Sequence, residues 1–198
     1  MVKGRRCQEE YFACFDYPRA WADEYRRENS VGQWLRDFPK EMGHVVPRSN
    51  EAKVLKCFCQ YALQYRLCEC RIQSVTWLYL AHISDEARQR LVAGKPWAPA
   101  GSKGKRQAKT ESAWEIMREH MGHRLFNELQ AKIVVRGEFK GYAGEPDLFC
   151  YGNNGAWFFA EAKSRSDRLG DKQKRWFAIA KDVLGPARQV RVYRMIER

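Results

Sequence analysis

A chain of 198 residues with 44% hydrophobic and 13% aromatic content is long enough for one sizeable core and too apolar for disorder. It holds no run of ~18 uncharged apolar residues and no apolar stretch behind its basic first residues, so neither a membrane span nor a secretory signal is expected, which leaves a cytoplasmic or nucleoid setting. The net charge is +12, with 16 Lys+Arg against 12 Asp+Glu in residues 1–100 and 20 against 12 in residues 101–198, so nucleic acid is the first partner to consider, through counterion release.

Residues 1–50 are aromatic-rich and broken by Pro18, Gly32, Pro39, Gly43 and Pro47, which predicts short helices. One starts at Pro18, a residue suited to a first helical position, and another after Ser30, running through Trp34 and Leu35. A longer helix is predicted from Ser49 or Asn50 as cap, because Val54, Leu55, Phe58, Tyr61, Ala62 and Tyr65 recur at helical spacing. This helix carries Cys57, Cys59, Cys68 and Cys70, four of the seven cysteines. Structural zinc sites space their pairs by about two to four residues and set them on turns. Without a secretory signal all seven cysteines are expected as reduced thiols, and because residues two apart on a helix point away from each other, these four are expected as free cysteines rather than metal ligands.

Residues 74–83 fit either helix or strand, and Ser84-Asp85-Glu86 opens a short helix that ends by Gly94. The stretch 94–106 is rich in Gly, Pro and Ser without hydrophobic period. It divides the chain into a mostly helical region of residues 1–100, a basic linker of residues 101–110, and a domain of residues 111–198. Lys103, Lys105, Arg106 and Lys109 are read either as a solvated linker or as a flexible strap along a phosphate backbone.

From Glu111 onward Trp114, Met117, Met121 and Leu125 form one helical stripe. Ile133, Val134 and Val135 read as a strand, residues 147–151 as a second and residues 157–163 as a third, with turn chemistry at Gly152-Asn153-Asn154-Gly155 between the last two. Trp176, Phe177, Ala180, Val183 and Leu184 fit an amphipathic helix stopped at Gly185-Pro186, and Val190, Val192 and Tyr193 a last strand. The order is α-β-β-β-α-β, an α/β core with a mixed sheet.

Chemistry concentrates in the hairpin. Glu161 and Lys163 are two apart and share a strand face. If Asn153-Asn154-Gly155 is a three-residue loop, Asp147 stands opposite Glu161, with Lys163 as its diagonal neighbour. A two-residue Asn154-Gly155 turn would instead put the two carboxylates on opposite faces. Carboxylates so close repel unless a cation lies between them, and Mg²⁺, with Mn²⁺ as a substitute, suits one or two carboxylates completed by water and phosphate. The carbonyl of Ala162 adds a further oxygen. Such an ion polarises a phosphodiester and acidifies a bound water, while Lys163 orients that water or neutralises charge on the phosphate. Gln173 opens the inward stripe of the helix that holds Trp176, where a polar side chain needs either a site partner or a backbone group of the helix start.

Gly144-x-Pro146-Asp147-Leu148, Glu161-x-Lys163, Asp167-Arg168-Leu169 and Gln173 with Trp176 resemble the VRR-NUC family, the virus-type replication–repair nucleases of the PD-(D/E)xK superfamily. The resemblance covers about residues 111–198. It implies a restriction-endonuclease-like core, metal-dependent hydrolysis of phosphodiesters and, for stand-alone members, homodimeric action on branched DNA such as a Holliday junction or flap. It implies Asp147 and Glu161 as metal ligands, Lys163 as catalytic lysine, Gln173 as the glutamine of the following helix, and an acid on the first helix. Glu115, 32 residues before Asp147, fits that acid best, with Glu119 and Glu128 as alternatives. Ser164 and Arg165 replace the small residues usual after the lysine, and Gly170 the usual capping serine. Arg165, Arg168 and Lys172 join the basic strap as candidate phosphate contacts. Two other functions stay open: a nuclease-like DNA-binding module without activity, and an interaction scaffold built on the aromatic first half.

Overall fold

The structure, a computed structural model, describes residues 12–27, 51–76, 93, 105–135, 144–185 and 190–198. The helix expected after Ser30 and, apart from residue 93, the one expected at residues 84–94 lie outside the described residues, as does Lys103. The protein is mixed α/β, with a five-stranded mixed sheet and helices. It divides into two compact units, one of Met1–Thr76, Pro146–Arg168 and Arg191–Arg198, the other of Trp77–Glu145 and Leu169–Val190.

The first unit is built on the sheet. Its strands are β1 (Ala13–Tyr17), β2 (Gln73–Thr76), β3 (Leu148–Tyr151), β4 (Trp157–Lys163) and β5 (Val190–Glu197), in the spatial order β1-β5-β4-β3-β2. β1 runs parallel to β5, whereas β2 with β3 and β3 with β4 are antiparallel. Segments from both sides of the Gly/Pro-rich stretch therefore share one sheet. β1 and β2 add strands to a region expected to be mostly helical, and β2 resolves the ambiguous residues 74–76 as strand.

Helix α1 (Arg19–Arg27) follows Pro18, and α2 (Glu51–Glu69) is the long helix its periodicity predicts. The core of this unit joins Phe58, Tyr61, Ala62, Leu63 and Leu67 of α2 to Leu148, Cys150, Phe158, Ala160, Ala162, Tyr193 and Met195 of the strands. Strand alternation puts Phe149, Phe159 and Glu161 on the other sheet face. Phe149 and Phe159 are cross-strand partners, their ring centroids 5.4 Å apart.

The second unit contains α3 (Lys105–Met121), α4 (His123–Val135) and α5 (Asp171–Leu184). Gly122, with φ +81, breaks the expected stripe into two helices, and the Trp114 ring meets Phe126 edge-on across the break at 4.9 Å. The strand expected at Ile133, Val134 and Val135 is corrected: these residues form the last turn of α4. Phe126, Leu129, Gln130 and Ile133 are buried at helical spacing, and that longer period overrides the local β-propensity of three branched side chains. Lys105, Arg106 and Lys109, expected in a linker or flexible strap, lie in the first turns of α3, which begins at Lys105.

Candidate active site

The β3–β4 turn sets the site. Gly155 adopts φ +74, Asn154 Oδ1 accepts the Ala156 N–H at 3.1 Å, and the Gly152 N–H donates to the Ala156 carbonyl at 2.9 Å. This is the three-residue loop, with Asn153, Asn154 and Gly155 outside the pairing. The register that follows matches Tyr151 with Trp157, Phe149 with Phe159 and Leu148 with Ala160. Continued by one residue it sets Asp147 opposite Glu161, and a one-residue slip would separate them onto opposite faces.

Asp147 therefore stands just beyond the outermost pair of the ladder. Its Oδ2 accepts the Ala162 N–H at 2.9 Å across the hairpin, which turns the carboxylate towards β4. Although the residue as a whole is half-buried, its carboxyl is enclosed, and burial pushes it up to about 6. The Ala162 N–H and the Lys163 ammonium pull the other way, and the charge of Asp167 adds to the rise. Glu161 is only 2% exposed, and its Oε1 pairs with Lys163 Nζ at 2.8 Å. A buried charge of this kind is tolerated only when paired. Asp147, just before β3, is thus bonded to the β4 main chain between Glu161 and Lys163, which pair with each other.

After Lys163 the chain turns sharply. The Ser164 N–H donates to Asp167 Oδ2 at 3.2 Å, and the Asp167 N–H returns to the Ser164 carbonyl at 3.3 Å. Arg165 and Arg168 are exposed on and beside this turn. Cys59 of α2 also belongs to this neighbourhood. Burial is the main cause that pushes its thiol up to about 12, with the charges of Asp167 and Asp147 adding and Lys163 opposing.

The remaining predicted residues lie in the helical unit. Glu115 and Glu119 are exposed on α3, Glu128 is exposed on α4, and Lys172 is exposed on α5. Gln173 is the third residue of α5, and its Oε1 accepts the Gly170 N–H at 3.1 Å, the capping role open to a glutamine at a helix start. Gly144, with φ +73, lies against that same turn: a Cβ on it would meet the Lys172 carbonyl carbon at 2.4 Å and the Gln173 nitrogen at 2.6 Å. The motif glycine is thus fixed both by its backbone angle and by a main-chain neighbour.

The cysteine reading divides. Cys59, Cys68, Cys70 and Cys150 are free thiols, and among the described residues no group of three or more His, Cys, Asp or Glu side chains gathers as a metal-holding cluster. Cys14 is disulfide-bonded, which corrects the expectation of reduced thiols throughout.

Gln60 is the residue that sequence reading passed over. It is 2% exposed on α2, and its Nε2 donates to the Asp147 main-chain carbonyl at 3.4 Å. The available signal was a glutamine pair, Gln60 and Gln64, inside an otherwise apolar helix surface. No helix among the described residues is long and apolar enough to cross a membrane. No family model, curated protein or solved structure matches the chain.

Proposed function

We propose that this protein is a metal-dependent DNA endonuclease of the VRR-NUC kind, with a restriction-endonuclease-like arrangement around its hairpin. The observation that carries the reading is at the hairpin end, where Asp147 bonds to β4 through Ala162 and buried Glu161 pairs with Lys163. Two carboxylates and the Ala162 carbonyl make an all-oxygen donor set, which suits a hard cation completed by water and phosphate. The enclosed carboxyl of Asp147, held above its ordinary range, fits the same view, because a positive charge beside it would relieve the cost of burial.

When bound, Mg²⁺ or Mn²⁺ polarises the phosphodiester and acidifies a water. The chain's own residues do the rest. Asp147 and Glu161 would hold the ion. Lys163 donates to the phosphate oxygens and offsets the charge that grows there. The Ser164–Asp167 turn holds the chain that leaves the lysine, and Arg165, Arg168 and Lys172 are exposed cations available to a DNA backbone. Gln173 caps the helix that follows.

The test is a cleavage panel of labelled junction, flap, duplex and single-stranded DNA with Mg²⁺, Mn²⁺ or EDTA. Cleavage is expected with either metal and is lost in EDTA. Lys163→Ala is expected to lower the rate by about 10²–10³-fold while DNA binding, read by gel shift, persists. Wild-type protein that binds these substrates but cuts none with either ion would favour the inactive DNA-binding module instead. Sedimentation of the full chain with and without junction DNA reads the expected homodimer.

A further inference from the structure

The nuclease motif is contained in residues 144–176, yet a side chain from far outside it reaches the motif aspartate. Gln60 lies at the middle of α2, 87 positions earlier in the chain, and is almost wholly buried. Its amide donates to the main-chain carbonyl of Asp147. The place of that carbonyl gives the bond its meaning. Leu148 is the outermost residue of β3 in both ladders, paired with Ala160 on one side and Thr76 on the other. Asp147 stands one step beyond these pairs.

Two bonds from other elements reach Asp147. Gln60 holds its carbonyl from α2, and Ala162 holds its carboxylate from β4. The first sets the position of the backbone from which the second is made. We infer that Gln60 is a positioning residue for the metal site, fixing the Asp147 main chain so that its carboxylate stays aimed beside Glu161. The inference rests on the nuclease reading for its consequence, but the contact it names stands apart from that reading.

The same helix supplies an internal control. Gln64, one turn on, is equally buried and donates to Ser74 Oγ on β2 at 3.2 Å, away from the motif. Removing either amide costs a buried hydrogen bond, but only one of the two touches Asp147. A purely structural role would make the two changes equivalent.

The experiment uses the full chain with Gln60→Met and Gln64→Met, both of which keep side-chain length and remove the donor. Amide hydrogen exchange at Ala162 reports whether the Asp147 carboxylate is still in place, and isothermal titration with Mn²⁺ alone reports the site. In Gln60→Met the Ala162 amide is expected to exchange at least about tenfold faster, and Mn²⁺ to bind about 10–100-fold more weakly, the usual effect of losing a residue that orients a ligand. On DNA, kcat at a fixed Mn²⁺ concentration falls while KM for DNA holds. Gln64→Met leaves all of these at wild-type values. Equal exchange at Ala162 in the two variants, or unchanged Mn²⁺ affinity in Gln60→Met, overturns the inference. If Gln60→Met fails to fold, Gln60→Glu keeps the shape and replaces the donor with an acceptor, and the same readouts apply. Wild-type protein that binds no Mn²⁺ would sink the nuclease reading, while the Ala162 amide would still decide whether Gln60 holds Asp147.

Discussion

Asp147→Asn tests whether the candidate site is built at the expense of the fold. A carboxyl ordinarily titrating at 3.8 is held at about 6, chiefly by burial. A gap of roughly two pH units, at ~1.4 kcal/mol each, means that ionised Asp147 costs the metal-free protein up to about 3 kcal/mol. Asparagine keeps an oxygen to accept the Ala162 N–H and carries no charge, so the variant is expected to be the more stable protein at pH 7 in EDTA. For a chain of this size that corresponds to a rise in Tm of roughly 6–12 °C. The pH dependence has a definite sign. The folded state holds the proton more tightly than the unfolded chain, so this group's contribution is complete below about pH 4 and is lost as pH rises through 6. The advantage of Asp147→Asn should therefore be near zero at pH 4, grow between 4 and 6, and stay level above that. Urea midpoints measured across pH 4–8 with a constant slope would show it, and adding Mg²⁺ should narrow the gap by stabilising only the wild type. A difference that does not change with pH, or a less stable variant at pH 7, would refute the reasoning.

Three further outcomes are expected. Deleting Asn153 leaves a two-residue turn, shifts the β3–β4 register and turns Asp147 or Glu161 into the core, so the variant should lose about 4 kcal/mol or more and show a collapsed thermal transition. Gly144→Ala should cost about 2–4 kcal/mol by urea titration, because its Cβ meets the main chain at 2.4 Å in a left-handed conformation, whereas Gly155→Ala, equally left-handed but in open space, should cost only about 1–2 kcal/mol. With a thiol reagent at pH 8, Cys70, exposed at the end of α2, should react quickly and Cys59 slowly, since burial holds its thiol at about 12; Cys70→Ser should remove the fast phase from this pair, and urea should release Cys59.

The hairpin was legible because its signals are local. Asn153-Asn154-Gly155 gives the loop, and alternation of Leu148, Cys150, Phe158 and Ala160 against Phe149 and Phe159 pins the register on the core face. The helices ending at Glu69 and Leu184 were legible for the matching reason, a sustained 3.6-residue period. Ile133–Val135 were misread because three β-branched residues were weighed apart from the period begun at Phe126. β1 was invisible for a different reason: its partner β5 is some 180 residues away, and a parallel edge strand leaves no turn to announce it. Gln60 was missed because the glutamine pair marks a buried polar group on α2 without saying which distant carbonyl it holds. Within the hairpin the sequence carried the geometry, but it was silent on what supports it from the first half.

The position of β5 has a consequence for how the protein assembles. It is the last strand in chain order, yet it sits between β1 and β4, and among the described residues β1 has no other neighbour in the sheet. A growing chain can wind α2 and close the β3–β4 hairpin as soon as those residues emerge, whereas β1 must wait for the whole intervening length before it finds a partner. Contacts of such long sequence separation form slowly. When they form, the Arg19 N–H donates to the Arg198 carbonyl at 2.8 Å, the Arg198 N–H donates to the Tyr17 carbonyl at 3.0 Å, and Arg198 pairs with Asp16 at 2.6 Å. The late step thus fastens the first described strand to the last, and a chain cut before Val190 would leave β1 an unpaired edge, open to association with other chains.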